Sequence, residues 1–206
     1  MFNSGYIESK KDENDIILDS RFEKSENIPN DYNFVEYLDI YPKNQGDTQK
    51  CVPYSLSTII EVDKKLNNIV YQLHIDDIYD NRQPKTDGMQ IRDALKYIKN
   101  IGYCSKGDNN RERILAYGRL NSHLAIKNSI FMNGPCIMAL PVYNADGIDF
   151  WNGDNFQGGH AITCVGYNTE GLILLNSWGS SFGNNGCCIL PYDDCNKILE
   201  CWAIIL

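Results

Sequence analysis

The hydrophobic pattern of the chain changes at Gly134 and Pro135, and this change limits the possible folds more than any other feature. Ahead of it, apolar residues recur at the three- and four-residue spacing of amphipathic helices. Behind it, they form short β-rich runs separated by turn residues. The sequence therefore predicts an α+β protein in which a helical half, about residues 29–134, packs against an antiparallel sheet or open barrel formed by residues 135–206.

The longest predicted helix runs from Cys51 to Leu66. Its apolar positions lie on one face, so we expect the helix to be half-buried. Asp47 and Thr48 are the candidates for its N-cap, because their side chains can accept hydrogen bonds from the free N–H groups of a first turn. This prediction places the thiol of Cys51 at the start of a long helix.

Shorter elements complete the two halves. Two further helices are predicted over Ile91–Ile98 and Leu124–Asn133, with Ser122 as the cap of the second. The predicted strands are Cys136–Tyr143, His160–Tyr167, Gly171–Trp178, Cys187–Leu190 and Cys201–Leu206. The glycine-rich segment 144–159 is predicted to be a long loop.

Residues 1–28 are rich in Asp, Glu, Lys, Asn and Ser, and we interpret them as a polar arm on the surface of a domain that covers residues 29–206. The charge run from Glu8 to Glu26 is interpreted as a solvated part of this arm, with a lid across a cleft as the alternative. The first twenty residues of the chain are polar, and the chain has no run of eighteen apolar residues, so we expect a cytoplasmic protein without a membrane partner.

The charge balance and the cysteines exclude several classes of partner. With 27 acidic and 19 basic residues the net charge is −8, and without a Lys/Arg-rich stripe the chain is a poor candidate for binding nucleic acid.

The eight cysteines are interpreted as free thiols, because no signal peptide directs the chain to an oxidising compartment. No Cys-x-x-Cys spacing occurs, and the only plausible zinc ligands are Cys187, Cys188, Cys195 and Cys201, so we expect no metal and no cofactor. We expect a monomer unless the chain is part of a larger particle.

Three residues have the types and positions that thiol catalysis needs. A helix N-terminus and a neighbouring imidazole both favour a thiolate, and Cys51 has the first by its position. His160 follows two glycines at the start of a predicted strand and is the candidate partner. Asn176, near the end of the next strand, is placed to orient the imidazole with its amide oxygen.

Three neighbours complete this candidate site. Gln45 lies six residues before Cys51, and its side-chain amide can join the Cys51 backbone N–H in stabilising an oxyanion. Trp178 can shield the hydrogen bond of the imidazole from water. Gly159 is small and leaves room beside the histidine for the backbone of a bound peptide.

These residues resemble a known family when they are taken in chain order. The motifs are Asn44-Gln45-Gly46, Cys51, Gly159-His160-Ala161, Val165-Gly166-Tyr167, Asn176-Ser177-Trp178-Gly179, and Gly183 with Gly186. Together they resemble the papain-like (cathepsin-type) cysteine peptidases, and within them the bacterial and phage-type branch without a signal peptide. The resemblance spans roughly Pro29 to Leu190. It implies the papain-like fold, in which a cleft separates a helical left half, with a long central helix that begins at the nucleophile, from an antiparallel sheet or open barrel on the right.

The resemblance also implies a role for each site residue. The implied set is Cys51 as nucleophile, His160 as general base and acid, Asn176 as its orienting partner, Gln45 as oxyanion donor and Trp178 as shield. The backbone of Gly88 and Met89 is implied to pair with the substrate, next to Gly159. The implied activity is hydrolysis of a protein or peptide substrate through an acyl-enzyme intermediate.

Two alternatives stay open at this point. The same triad serves acyl transfer to an amine and isopeptide cleavage, because only the acceptor differs. The segment Thr48-Gln49-Lys50-Cys51-Val52 also departs from the family signature Cys-Gly-Ser/Ala-Cys-Trp/Tyr. Lys50 and Gln49 replace small residues there, which leaves open a non-catalytic structural or binding protein that retains the fold.

Overall fold

A long helix and one curled sheet form the two halves of the molecule. The computed structural model describes residues 5–23, 27–83, 85 and 87–206. Residues 1–4 and 24–26 of the predicted arm lie outside these ranges.

The secondary structure alternates between short and long elements along the chain. The helices are α1 (Asp19–Phe22), α2 (Phe34–Leu38), α3 (Cys51–Leu66), α4 (Ile75–Asp80), α5 (Ile91–Asn100) and α6 (His123–Asn133), with a 3₁₀ helix at Tyr192–Lys197. The strands are β1 (Tyr6–Ile7), β2 (Tyr32–Asn33), β3 (Met89–Gln90), β4 (Ala116–Arg119), β5 (Cys136–Val142), β6 (Gly158–Tyr167), β7 (Gly171–Leu175), β8 (Cys187–Pro191) and β9 (Glu200–Ile205). None of the described helices combines the length and apolar character needed to span a membrane.

Nine strands of the described chain form one sheet, whose main path is β3-β1-β6-β5-β9-β4. Strands β2 and β7 also pair with β6, and β8 pairs with β7. The strand pairs are antiparallel except for β1 with β3. Strand β6 pairs with β5 along a continuous register from Cys136 opposite Cys164 to Val142 opposite Gly158. A residue at the start of β6 is therefore held between strands on both sides.

Strand β5 separates the two hydrophobic cores. All of its residues are buried. Met138 and Leu140 belong to the core shared with α6, β7 and β8, whereas Ile137 and Ala139 belong to the core shared with α3 and α5. A strand that is buried on both faces has a continuous apolar sequence instead of an alternating one. This explains why the sequence of β5 contains no polar residue.

The three predicted helices are confirmed, but the predicted N-cap of α3 is wrong. Helix α3 has the predicted bounds, α5 continues to Asn100, and α6 begins one residue earlier than predicted. Lys50 occupies the N-cap position of α3 and makes no side-chain hydrogen bond to the first turn. The Thr48 hydroxyl is used elsewhere, because it donates to the Gln45 carbonyl oxygen at 2.7 Å.

The strands differ from the prediction mainly at their ends and in the short segments. Strand β6 begins at Gly158 instead of His160, because its pairing with β5 continues through Gly159 and Gly158. Strand β7 ends at Leu175, before the predicted end at Trp178. Strands β1, β2 and β3 have two residues each, and a segment of that length has no period that a sequence can display.

Part of the predicted arm belongs to the core of the domain. Phe22 is 2% exposed and lies in the core with α6, and Tyr6 is 8% exposed in the core beside α3. The side-chain amide of Asn128 in α6 donates to the Phe22 carbonyl oxygen at 2.6 Å. The expectation that the core begins near Pro29 is therefore wrong, because two aromatic residues of the polar arm bury large apolar areas.

Ser122 is the predicted N-cap of α6, and the structure confirms this prediction. Its hydroxyl oxygen accepts a hydrogen bond from the Ala125 N–H at 3.1 Å. We expect Ser122→Ala to lower the free energy of unfolding by about 1 kcal/mol, because this N–H loses its partner. Ser122→Thr keeps the acceptor oxygen and is the matched control. Urea denaturation measures both variants, and an alanine variant as stable as the wild type would contradict the role of this cap.

Candidate active site

The Cys51 thiol lies at the first residue of α3 and is completely buried. The backbone N–H of Ala161 donates to the sulfur at 3.5 Å. Burial raises the pKa of the thiol to about 11, and the backbone N–H groups of Ala161, Gly5 and Val52 offset only part of this effect. The thiol is therefore protonated at pH 7 in this structure.

Two side-chain hydrogen bonds join α3 to β6 close to this thiol. Ser55 Oγ donates to the Ala161 carbonyl oxygen at 3.1 Å, and Thr163 Oγ1 donates to the Ser55 carbonyl oxygen at 3.1 Å. Ser55 lies about one helical turn beyond Cys51. The two bonds therefore hold the start of the helix against the strand that carries His160.

The imidazole of His160 is oriented by a side-chain amide. Its Nε2 lies 2.8 Å from Asn176 Oδ1, and the same oxygen accepts the backbone N–H of Ser177 at 2.8 Å. Because Oδ1 is an acceptor, Nε2 must carry a proton, and Nδ1 of the neutral ring is then unprotonated. The ring is therefore in the tautomer that can receive a proton at Nδ1.

Aromatic rings cover the imidazole. The ring centroid of Trp178 lies 4.6 Å from that of His160, and the centroid of Phe150 lies 5.7 Å away in an edge-on arrangement. His160 is 1% exposed. Burial lowers the pKa of the imidazole to about 4, although its hydrogen bond with Asn176 acts in the opposite direction. The imidazole is therefore neutral at pH 7 in this structure.

The charge state of this pair differs from the one that the sequence predicts. The expectation is a thiolate beside an imidazolium, whereas the thiol and the imidazole are both neutral here. Among the hydrogen bonds of the described residues, none joins the Cys51 thiol to the His160 ring. The thiol accepts backbone N–H groups, including that of Ala161, and the ring is bonded to Asn176. The physical reason is that both groups are removed from water, which penalises the charged form of each.

Gln45 is held beside the start of α3 in one orientation. Its Oε1 accepts a hydrogen bond from Ser177 Oγ at 2.6 Å, and its Nε2 donates to the Thr48 carbonyl oxygen at 2.7 Å. The residue is 4% exposed. The amide nitrogen carries two hydrogens, so one of them remains for another acceptor.

Lys50, the residue before Cys51, forms an ion pair with α4. Lys50 Nζ pairs with Asp76 at 2.6 Å and lies 5.4 Å from the centroid of the Tyr79 ring. The ion pair raises the pKa of Lys50 through its hydrogen bond with Asp76. Lys50 therefore directs its charge toward a carboxylate of the helical half.

Gly88, Met89 and Gly159, the predicted substrate-binding residues, lie along one groove, and β1 of the arm occupies it. The Met89 N–H donates to the Gly5 carbonyl oxygen at 2.8 Å, and Tyr6 pairs with Gly159. Gly88 has a φ of +83°, and a Cβ there would lie 2.8 Å from the Gly5 carbonyl oxygen. A Cβ on Gly159 would lie 2.3 Å from the Tyr6 ring. The arm therefore crosses the groove with residues 5–7, which lie before the charge run from Glu8 to Glu26 of the lid alternative.

A buried cluster of charges fixes the arm further along the chain. The Asp15 carboxylate accepts hydrogen bonds from Arg92 Nε at 2.9 Å and from Arg119 Nε at 2.8 Å, and its side chain is 8% exposed. Ser9 Oγ donates to Glu200 Oε1 at 3.0 Å. The interpretation of the charge run as solvated is therefore wrong at Ser9 and Asp15.

Sequence reasoning missed three contributions to the site. Phe150 lies in the predicted loop, and the two adjacent aromatic residues Phe150 and Trp151 are a sequence signal of burial there. Ser177 lies inside a recognised motif, but its role depends on Gln45, which is 132 residues away. Gly5 has no pattern around it that indicates a contact with the Cys51 thiol.

The cysteines are free thiols in this structure. The part of the chain that the structure describes contains no group of three or more His, Cys, Asp or Glu side chains that could hold a metal ion. This statement includes the candidate zinc ligands Cys187, Cys188, Cys195 and Cys201. A reducing compartment for these thiols stays a prediction.

Comparison with a model of a protein family gives one match. The model described as papain family cysteine protease matches residues 40–198, which is more than half of the 206 residues. The matched range includes Gln45, Cys51, His160 and Asn176. No match is found among the curated proteins.

Solved structures resemble this fold over nearly its whole length. Xylellain, a cysteine protease from Xylella fastidiosa, has a TM-score of 0.82 and 19% identity, with 98% of this chain and 95% of that chain covered. Digestive procathepsin L2 proteinase from Tenebrio molitor larval midgut has a TM-score of 0.75 and 20% identity, with 100% and 78% covered. The Carica candamarcensis cysteine protease CMS1MS2, solved in complex with E-64, has a TM-score of 0.70 and 19% identity, with 86% and 99% covered. The expected papain-like fold is therefore confirmed.

The buried imidazole predicts an unusual titration. We expect the ring proton NMR signals of His160 to titrate with a midpoint near pH 4, because burial disfavours the imidazolium. An unfolded chain takes up this proton near pH 6.5, so the stability contributed by the neutral ring is complete above about 6.5 and falls as the pH drops toward 4. His160→Gln, which lacks the signals, assigns them. A midpoint at or above 6.5 would contradict the buried neutral state.

Proposed function

The chain belongs to the papain family of cysteine proteases, and from this premise we propose that it hydrolyses peptide bonds with a Cys51-His160-Asn176 triad through an acyl-enzyme intermediate. The observation that carries the proposal is the 2.8 Å hydrogen bond between His160 Nε2 and Asn176 Oδ1. This bond fixes the ring and leaves Nδ1 as its basic nitrogen.

The first half of the proposed cycle forms a thioester. The Cys51 thiol gives its proton to Nδ1 of His160, and the sulfur attacks the carbonyl carbon of the substrate. The imidazolium then gives this proton to the leaving nitrogen, and the C–N bond breaks. The amine product leaves, and the N-terminal part of the substrate stays bound to the sulfur as an acyl group.

The second half restores the enzyme with water as the only further reactant. Nδ1 of His160 takes a proton from a water molecule, and the water oxygen adds to the thioester carbonyl carbon. The C–S bond breaks, and the proton returns from the ring to the sulfur of Cys51. The products are a carboxylic acid and the free thiol.

Both halves pass through an intermediate with a negatively charged oxygen. We assign its stabilisation to Gln45 Nε2 and the backbone N–H of Cys51. The support for Gln45 is its fixed orientation, since Ser177 and the Thr48 carbonyl hold its two amide atoms. The N-terminal end of α3 adds a favourable field for negative charge at the same place.

The proposed substrates are extended segments of proteins or peptides. Gly88 and Met89 are assigned to pair with the substrate backbone, with Gly159 providing space on the opposite side. The support for this assignment is β1, an extended segment whose backbone already accepts the Met89 N–H at 2.8 Å. The same groove therefore has the hydrogen-bonding groups that an extended peptide needs.

Removal of the thiol tests the nucleophile. We expect Cys51→Ala to abolish hydrolysis of a quenched fluorescent peptide library while its circular dichroism spectrum stays that of the wild type, because alanine occupies nearly the same space. Cys195→Ala removes a partly exposed thiol outside the site and is the matched control, with wild-type kcat/KM. Hydrolysis by Cys51→Ala at the wild-type rate would exclude Cys51 as the nucleophile.

Removal of the orienting amide tests the triad. We expect Asn176→Ala to lower kcat by roughly 10²-fold, since His160 stays present but loses its fixed orientation. Asn184→Ala, at an exposed position of the β half, is the control and should keep the wild-type kcat. An unchanged kcat in Asn176→Ala, measured with the same peptide library, would show that the amide does not position the base.

A further inference from the structure

A cavity of about 380 Å³ opens on the β half of the molecule, outside the candidate catalytic site. Most of its lining is apolar or aromatic. Six of the lining residues are Pro141, Tyr143, Trp151, Phe156, Lys197 and Leu199. A concave site with mainly apolar walls and a few polar groups is the usual form of a binding site.

The cavity begins one strand away from the groove assigned to the substrate. Pro141 lies directly opposite Gly159 in the antiparallel pair of β5 and β6. Residues directly opposite each other in such a pair lie on the same face, with their Cβ atoms about 4.5–5.5 Å apart. Ala139, two residues before Pro141, belongs to the same core as Tyr6, so residue 141 faces the groove as well. A side chain bound over Gly159 therefore has Pro141 as its neighbour and the cavity beyond it.

Close packing fixes the walls of the cavity. A Cβ on Gly153 would lie 2.8 Å from the Cβ of Tyr143, so the glycine allows the loop between β5 and β6 to pack directly against that wall. The Tyr143 and Phe156 rings lie edge to face, with their centroids 5.8 Å apart. The Trp151 indole N–H donates to Asp194 Oδ2 at 2.9 Å. The shape of the cavity is therefore formed before any ligand enters.

The rim of the cavity exposes large apolar side chains to water. Phe156 is 60% exposed and Leu199 is 39% exposed. The Leu199 N–H donates to the Ala139 carbonyl oxygen at 2.9 Å, which holds Leu199 beside β5. An apolar group that enters the cavity removes part of this surface from water, and this burial favours binding.

The charged side chain of the cavity already has its partners. Lys197 Nζ donates to Asp194 Oδ1 at 2.7 Å and also to the side-chain oxygen of Asn152. A charged ligand would have to compete with these bonds and would lose its own hydration among aromatic walls. An uncharged apolar side chain therefore fits this cavity better than a charged one.

We propose that this cavity is a subsite for one bulky apolar residue of the peptide substrate, and that Phe156 and Leu199 make its selective contacts. The proposal rests on the proposed function, because it assumes that the substrate backbone lies in the groove beside Gly159. The cavity lies away from Cys51, so its contacts are equal in the bound substrate and in the transition state. Such contacts lower KM and leave kcat unchanged.

Three alanine substitutions separate the cavity from the rest of its loop. Phe156→Ala and Leu199→Ala remove apolar surface from the rim. Ile148→Ala is the matched control, because Ile148 lies in the same loop as Phe156 and is also 60% exposed, but it lines a separate cavity beside β8. Circular dichroism establishes folding. If Leu199→Ala does not fold, Phe156→Ala decides the outcome, because Phe156 is the more exposed of the two.

The measurement is hydrolysis of quenched fluorescent peptides in which each position in turn carries Phe or Ser. At one position, we expect Phe to raise kcat/KM about tenfold over Ser in the wild type and in Ile148→Ala, which corresponds to ~1.4 kcal/mol. In Phe156→Ala and Leu199→Ala this ratio should fall roughly threefold or more through KM, because less apolar surface is buried. The Ser peptides should keep the wild-type kcat. Equal ratios in the wild type and all folded variants, or an equal fall in Ile148→Ala, would overturn the subsite.

Peptide binding without hydrolysis separates this proposal from the proposed function. Fluorescence anisotropy gives the Kd of the same Phe and Ser peptides for Cys51→Ala, with and without Phe156→Ala. A Phe preference in Kd that Phe156→Ala removes, beside a wild type that hydrolyses no peptide, supports the subsite and overturns the peptidase activity. Hydrolysis with a Phe preference that Phe156→Ala leaves unchanged supports the peptidase activity and overturns the subsite. Failure to bind any of these peptides also overturns the subsite.

Discussion

The reciprocal hydrogen bonds between Ser55 of α3 and strand β6 fix the position of the helical half relative to the sheet. They join Ser55 to Ala161 and Thr163, which are 106 and 108 residues away in the chain. The start of α3 and the start of β6 meet there. This contact brings Cys51 next to the strand that carries His160, although the two residues belong to separate halves of the molecule. The orientation of the imidazole and its aromatic cover matter chemically only while this contact between helix and strand holds.

The access of water to the cleft sets the charge state of the site. With β1 in place, burial raises the pKa of Cys51 and lowers that of His160, so the proton stays on the sulfur. The backbone N–H groups and the helix N-terminus that favour a thiolate are already beside it. The neutral pair therefore follows from burial, in a site whose other parts are already assembled.

The sequence predicts the parts of this molecule that have a hydrophobic period or a motif. It does not predict contacts that depend on how two segments distant in the chain pack against each other. Helix α3 is long enough for its period to be read. His160 lies on β6 and Asn176 directly follows β7, and these two strands are neighbours in the chain and pair as a hairpin. Gly5 could not be predicted, because its close approach to the Gln49 backbone leaves no local pattern. Asp15 could not be distinguished either, since it is one of many acidic residues in a polar segment.

The position of Tyr6 on Gly159 is a template for synthetic ligands. A flat ring lies where a side chain at residue 159 would otherwise intrude, and the attached backbone turns an N–H toward the sulfur of Cys51. An electrophilic atom in place of the Gly5 nitrogen would lie against the Cys51 thiol. A covalent probe for this cysteine can therefore be designed on the backbone of β1.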